Sequence, residues 1–217
     1  MNPISQSTID AVVFDYGGVL CHPPATADID RLAALFGLPR DKFWRMYGRL
    51  RGPYDRGTIG AREYWRTMAQ CAGVLLSEAQ FASLQAIDLA MWSGYNKSML
   101  ALARQLRDAG IKTGILSNML ADMLEKLRAE VDWLPLFDVQ VYSCDLGLVK
   151  PDEAIYARLI EELGVDPSRT LFVDDIAANV DGARRAGMQA VVFESESQLR
   201  DYLTELLPPP AVNTVVN

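Results

Sequence analysis

The sequence predicts an α/β fold, a doubly wound Rossmann-like parallel sheet with an inserted α-helical cap. Three observations predict it. Short apolar runs, each closing on a small or acidic residue, recur along the chain; helical patterns with recognisable ends separate them; and residues 21–95 read as helices with no convincing strand. The 217 residues suffice for a substantial core without disulfides or metal to hold it together.

The strand candidates are 11–14, 111–116, 139–142, 171–173 and 190–193. Runs this short and this rich in Val, Ile and Phe suit strands buried on both faces, the signature of a parallel sheet. The helix at 98–109 carries Met99, Leu100, Leu102, Ala103 and Leu106, with Gly110 placed for a left-handed C-cap. A second opens with Pro151 at its first position, sets Asp152 and Glu153 near the positive end of its dipole, and stops at Gly164. A shorter one, 179–186, ends at Gly187. Strand, helix, strand in this order implies right-handed crossovers.

Within 21–95 the helical stretches are 29–36, 40–51, 61–71 and 77–92, and Trp44, Trp65 and Trp92 fall there. An insertion directly after the first strand reads as a cap over that strand's carboxyl end; an ordinary long crossover is the plainer alternative. The expected organisation is a core of 1–20 and 96–207, a cap of 21–95, and a disordered tail of 208–217 that begins with three prolines.

Charge and cysteine usage narrow the function classes. With 28 acidic against 21 basic residues, net −7, the chain is a poor candidate for coating nucleic acid or anionic membrane, although a bound cation can still bring in a small anion. No run of about 20 apolar residues offers a membrane span, and the first residues lack the basic region of a signal peptide. Three widely spaced cysteines, Cys21, Cys71 and Cys144, read as reduced thiols in a cytoplasmic protein. Monomer and homodimer both remain open, since Phe43, Trp44 and Trp92 can be cap core or a dimer face.

Ligands of open α/β sheets bind beyond the carboxyl ends of the strands. Asp15, Tyr16, Gly17 and Gly18 follow the first strand; Ser117 and Asn118 follow the second; Asp174 and Asp175 follow the fourth; Lys150 precedes a helix at the same edge. Three carboxylates repel one another unless a cation joins them, and Mg²⁺ is the hard ion that takes carboxylates, keeps waters and binds phosphate. Lys150 would keep Asp15 ionised as a nucleophile, while Ser117 and loop amides bind phosphoryl oxygens. Each residue also has a plainer reading. Asp15 can be a turn residue, Ser117 and Asn118 can cap a helix near 120–129, Lys150 can be a surface lysine, and Asn179 can brace the loop after Asp175.

The segments VVFDYGGVL, GILSN, GLVKPDEAIY and LFVDDIAANVDGARRAGMQAV are similar, in order and spacing, to the four motifs of the haloacid dehalogenase-like (HAD) hydrolase superfamily. The insertion sits where that family's cap of the first type sits. The resemblance implies Asp15 as the nucleophile that forms an aspartyl-phosphate, Ser117 as the phosphate-binding hydroxyl beside Tyr16, Gly17 and Asn118, and Lys150 as the stabilising cation. It implies a Mg²⁺ site of Asp15, the Gly17 carbonyl, Asp174 and Asp175, with Asp175 favoured as direct ligand.

The sequence departs from that pattern at one point. The family's phosphatases usually carry D-x-D, whose second aspartate protonates the leaving group and then activates water; here the position is Gly17. The variant D-x-G-G-V resembles members of the glucose-1-phosphate phosphatase and epoxide hydrolase N-terminal phosphatase types. The favoured expectation is a phosphatase of a small phosphorylated metabolite, a sugar 1-phosphate being suitable because its anomeric oxygen leaves easily. A descendant that only binds a phosphometabolite or a protein, and a 2-haloacid dehalogenase, are the alternatives. Asp55, in the cap-lip segment with Tyr54, Arg56 and Glu63, is a candidate replacement acid or a turn aspartate; His22, beside Pro23 and Pro24, is a candidate proton donor or part of a hinge.

Overall fold

The computed structural model describes residues 9–207; the tail expected at 208–217 lies outside them. Strand β1 (Ala11–Phe14) is followed by five helices, α1 (Thr26–Leu35), α2 (Arg40–Leu50), α3 (Gly52–Asp55), α4 (Ala61–Ala72) and α5 (Glu78–Met91). Then come α6 (Lys97–Asp108), β2 (Lys112–Ser117), α7 (Ala121–Glu130), β3 (Val139–Tyr142), α8 (Ser143–Leu146) and α9 (Glu153–Leu163). β4 (Thr170–Asp174), α10 (Ala177–Arg185), β5 (Gln189–Val192) and α11 (Glu196–Leu206) complete the order. The five strands form one parallel sheet in the order β3-β2-β1-β4-β5. The chain winds outward from β1 in both directions, so the switch point of the sheet is the end of β1.

Alternation along β1 divides the core. Ala11 and Val13 pack with Ile155, Tyr156 and Leu159 of α9 and with Val180 and Ala183 of α10. Val12 and Phe14 meet the opposite layer of Met99 and Leu102 on α6, Leu124 and Leu127 on α7, and Leu199 and Leu203 on α11. This is the double burial that the apolar runs require. Phe14 lies level with both Ile115 and Val173, so Asp15 and Asp174 leave the sheet side by side.

Two expectations are corrected. The helix expected from Pro151 begins at Glu153, because Val149–Asp152 is a turn closed by the Asp152 N–H to the Val149 carbonyl at 2.9 Å, with a cis Lys150–Pro151 peptide. Ser117 and Asn118 do not cap the next helix: α7 starts at Ala121 with Leu120 at its N-cap and no side-chain cap bond. The short helices α3 and α8 have no counterpart among the expected elements, nor does α11, although Ser195 caps it by accepting from the Gln198 N–H at 3.2 Å.

Helices α1–α5 stand over the carboxyl end of the sheet on an aromatic centre of their own, with Phe36, Phe43, Tyr64 and Trp65 buried. Phe43 is therefore cap core; Trp44 is half-buried and stacks on Tyr47 at 4.8 Å. The two chain crossings into this layer run together, His22 N–H donating to the Gly94 carbonyl and Asn96 N–H to that of Leu20, both at 2.8 Å. Exposed His22 belongs to this crossing. Among the described residues no helix is long and apolar enough to cross a membrane.

Candidate active site

The sheet edge gathers the residues that the strand ends supply. Lys150, almost wholly buried, donates from Nζ to Asp15 Oδ1 at 2.8 Å, Asp174 Oδ2 at 2.7 Å and the Leu116 carbonyl at 2.9 Å, which uses its three N–H bonds. Asn118 fixes the lysine's backbone from both sides: its Nδ2 donates to the Lys150 carbonyl at 3.0 Å and its Oδ1 accepts from the Lys150 N–H at 2.8 Å. Asp15 Oδ1 also accepts from the Tyr16 N–H at 2.6 Å, while among the described residues its Oδ2 has no partner.

Asp174 bonds inwardly. Its Oδ1 accepts from the Ile176 N–H at 2.8 Å, and Asn179 Nδ2 donates to both of its oxygens, at 3.1 and 3.0 Å. Asn179 thus braces Asp174. Asp175 instead turns toward the β1 loop: a Cβ on Gly18 would lie 2.3 Å from Asp175 Oδ2, and Gly18 has φ +76°. Only glycine admits both that backbone and that approach. The sequence places Gly18 at this edge without assigning it this role.

One oxygen each from Asp15, Asp174 and Asp175 lie within 4.8 Å of one another. Burial raises the Asp15 carboxyl above the ordinary carboxylate range; Lys150 opposes the rise, and Asp174 and Asp175 add to it. Burial works against the Lys150 ammonium, but Asp15 and Asp174 outweigh it and hold its pKa above the usual value. Fully ionised, three carboxylates against one ammonium carry two negative charges, which a divalent cation would neutralise; the donor set, all oxygen, fits Mg²⁺.

Above this edge lies a cavity of about 290 Å³. Its floor includes Asp15, Ser117, Asn118, Lys150 and Asp175, and its wall includes Leu89, Trp92, Met119, Leu120 and Met123. Ser117 is buried at the floor, and among the described residues its hydroxyl has no partner. Tyr16 is placed differently from Ser117: its hydroxyl donates to the Trp92 carbonyl and so ties the β1 loop to the cap. The Cys21 thiol donates to the same carbonyl at 3.1 Å, and burial pushes its pKa up to about 11, which makes it an unreactive thiol.

The roof is a second charged cluster, of which the sequence pattern carries little sign. Arg51 Nε donates to Asp55 Oδ1 at 2.9 Å, and its Nη1 reaches both Asp88 oxygens at 3.3 and 3.2 Å. Tyr47 donates to Asp88 Oδ1 at 2.6 Å and accepts from Trp92 Nε1 at 3.2 Å and from Arg51. The guanidinium carbon lies 4.7, 5.2 and 5.6 Å from the ring centres of Tyr47, Tyr54 and Tyr64. Burial raises the Asp55 carboxyl, with Arg51 opposing.

The fold and this site define an α/β enzyme with an acidic centre enclosed by a helical cap. The profile of the haloacid dehalogenase-like hydrolases matches residues 9–187. The chain is 33% identical over 201 residues to Phosphatase MT3486 of Mycobacterium tuberculosis, covering 89% of this chain and 91% of that protein. It is 30% identical over 224 residues to bifunctional epoxide hydrolase 2 of Sus scrofa, covering 93% of this chain but 40% of that longer protein. The HAD family enzyme bt-2542 of Bacteroides thetaiotaomicron, solved with magnesium and inorganic phosphate, superposes with a TM-score of 0.71 at 20% identity, over 88% of this chain and 98% of that one. The protein belongs to the haloacid dehalogenase-like hydrolases.

Proposed function

We propose that the protein is a Mg²⁺-dependent cytoplasmic phosphatase of small phosphorylated metabolites, with residues 21–95 as the cap that encloses the substrate. One observation carries the reading: the Lys150 ammonium grips Asp15 and Asp174 together while Asp15 Oδ2, beneath the cavity, has no partner among the described residues. Asp15 is the nucleophile. Its reacting oxygen is held by the Tyr16 amide and Lys150 on the other oxygen, so little reorganisation precedes attack. Ser117 Oγ and the amides after β1 receive the phosphoryl oxygens, and Lys150 balances the charge that builds on them. The two remaining assignments, Tyr16 and Asn118, act on position: one closes the loop on the cap and the other sets Lys150.

Asp15, Asp175 and the Gly17 carbonyl would hold the Mg²⁺, with Asp174, already saturated by Lys150, Asn179 and a backbone amide, as a direct or water-mediated ligand. When bound, the ion neutralises the carboxylates and the phosphate they must approach. The cavity size suits a metabolite, and its mixed apolar and polar wall suits a sugar 1-phosphate or a similar small ester. The test is phosphate release from 4-nitrophenyl phosphate. It should need Mg²⁺, stop with chelator, and fall on the order of 10⁴-fold or more in Asp15→Asn with the fold retained. Halide release from a 2-haloacid in chelator would instead establish the dehalogenase, and stabilisation by a phosphometabolite without turnover would establish a binding protein.

A further inference from the structure

Gly17 leaves the reaction without its usual acid, and the cap crowds any side chain that would return there. A Cβ on Gly17 would lie 3.2 Å from Trp92 Cζ3, so the indole fills the space above it. The other titratable groups lining the cavity are engaged. Lys150 directs its N–H bonds to Asp15, Asp174 and Leu116; Tyr16 donates to Trp92; Tyr47 donates to Asp88; and Asp88 accepts on both oxygens. Asp15 and Asp175 serve as nucleophile and metal ligand in the reading above.

Asp55 differs from all of these. Its Oδ1 accepts from Arg51, its Oδ2 has no partner among the described residues, and its side chain, 13% exposed, lines the cavity. The backbone at Asp55 is docked over the phosphate-binding loop. Its carbonyl accepts from Ser143 Oγ at 2.5 Å, and that hydroxyl accepts from the Met119 N–H at 2.8 Å, two residues beyond Ser117. Arg56 pins the same turn to Asp152 at 2.5 Å. Charge points the same way. One guanidinium serves two carboxylates, so the cluster is one positive charge short, and a single proton makes up the difference. Asp88 is supplied by Tyr47 and Arg51 on both oxygens, whereas Asp55 has a donor on one oxygen alone among the described residues.

We propose that Asp55 is the acid that replaces the missing aspartate at position 17, delivered from the cap. This rests on the phosphatase reading. Asp15 Oδ2 attacks phosphorus, the bond from phosphorus to the leaving oxygen breaks, and the Asp55 carboxyl proton passes to that oxygen to give the alcohol. The Asp55 carboxylate then takes a proton from water as the water oxygen attacks phosphorus. The bond from phosphorus to Asp15 breaks, and inorganic phosphate leaves.

The experiment compares kcat/KM, which reports the step that expels the leaving group, for benzyl phosphate and 4-nitrophenyl phosphate in wild type and Asp55→Asn. Benzyl alkoxide needs a proton and 4-nitrophenolate does not. The expected result is a fall of about 10²–10³-fold for the benzyl ester and under about 10-fold for the nitrophenyl ester, with partial rescue of the benzyl ester by Asp55→Glu. Equal falls for both esters, or no fall, overturn the proposal while leaving the phosphatase reading intact. Should Asp55→Asn fail to fold, the wild type decides: a shallow dependence of kcat/KM on leaving-group acidity across substituted phenyl and benzyl phosphates supports an acid, and a steep one overturns it. A wild type that releases phosphate from neither ester overturns the phosphatase reading itself.

Discussion

Two buried charge clusters face each other across one cavity, and they are short of positive charge by different amounts. On the core side, Asp15, Asp174 and Asp175 surround one ammonium; on the cap side, Asp55 and Asp88 share one guanidinium. The first lacks two charges and suits a divalent cation. The second lacks one and suits a proton. The difference matches the division of labour proposed above, in which the core handles the phosphoryl group and the cap handles the leaving oxygen.

The sharpest way to break that comparison is to remove each cation. Lys150→Met and Arg51→Met each leave buried carboxylates without their partner, a loss of about 3–5 kcal/mol in stability. The two should respond to opposite remedies. Mg²⁺ should restore part of the melting temperature lost in Lys150→Met and little of that lost in Arg51→Met, whereas acidic pH should relieve Arg51→Met by protonating the acids it strands. Equal rescue of both by Mg²⁺, read by thermal denaturation, would remove the distinction between the clusters.

The clusters also differ in how far the sequence discloses them. Asp15, Ser117 and Asp174 each end or directly follow a strand, and a parallel register of apolar runs brings such positions to one edge. Lys150 is reached from a loop, yet the neighbouring helix start locates it. The cap centre has no such rule. Tyr47, Arg51 and Asp88 come from α2, the residue after it, and α5, and they meet only through tertiary packing; periodicity gives a helix its buried face but not the partner across from it. Trp92 is legible in the sequence only as a tryptophan of the cap, and its meeting with Gly17 depends on the chain crossing at 93–96. The Pro151 helix start failed for a local reason: a proline suits a turn as well as a first helical position.

A smaller effect separates the clusters by pH. Burial holds the Asp15 and Asp55 carboxyls above their ordinary value of 3.8. In that window the folded protein keeps protons that the unfolded chain has released, so stability without metal falls as pH rises above the ordinary carboxylate range. The limiting slope is about 1.4 kcal/mol per pH unit for each retained proton. Mg²⁺ bound as proposed would displace the proton at Asp15 and not the one at Asp55. Stabilisation by Mg²⁺ should therefore grow with pH, and the slope that survives in saturating Mg²⁺ should flatten in Asp55→Asn. Thermal melts across pH check both; Mg²⁺ stabilisation that shrinks as pH rises would contradict the core assignment.

The smallest expected change lies at Gly17, beneath the Trp92 indole. Gly17→Ala adds one methyl against Trp92 at 3.2 Å, an overpacking worth about 1–2 kcal/mol. Gly17→Asp pushes further into the same ring, so restoring the family's acid to the native cap should lower activity. Trp92→Leu opens the space, and the two changes should then be non-additive in a double-mutant cycle, the pair being more stable than the sum of the singles requires. Adding Asp55→Asn to the Gly17→Asp, Trp92→Leu pair should leave benzyl phosphate turnover above that of Asp55→Asn alone, because either acid can serve the same leaving oxygen once the indole no longer crowds a side chain at position 17, which lines the same cavity. Additive losses, with no recovery on benzyl phosphate, would mean that Trp92 excludes a side chain from position 17 without deciding which acid the reaction uses.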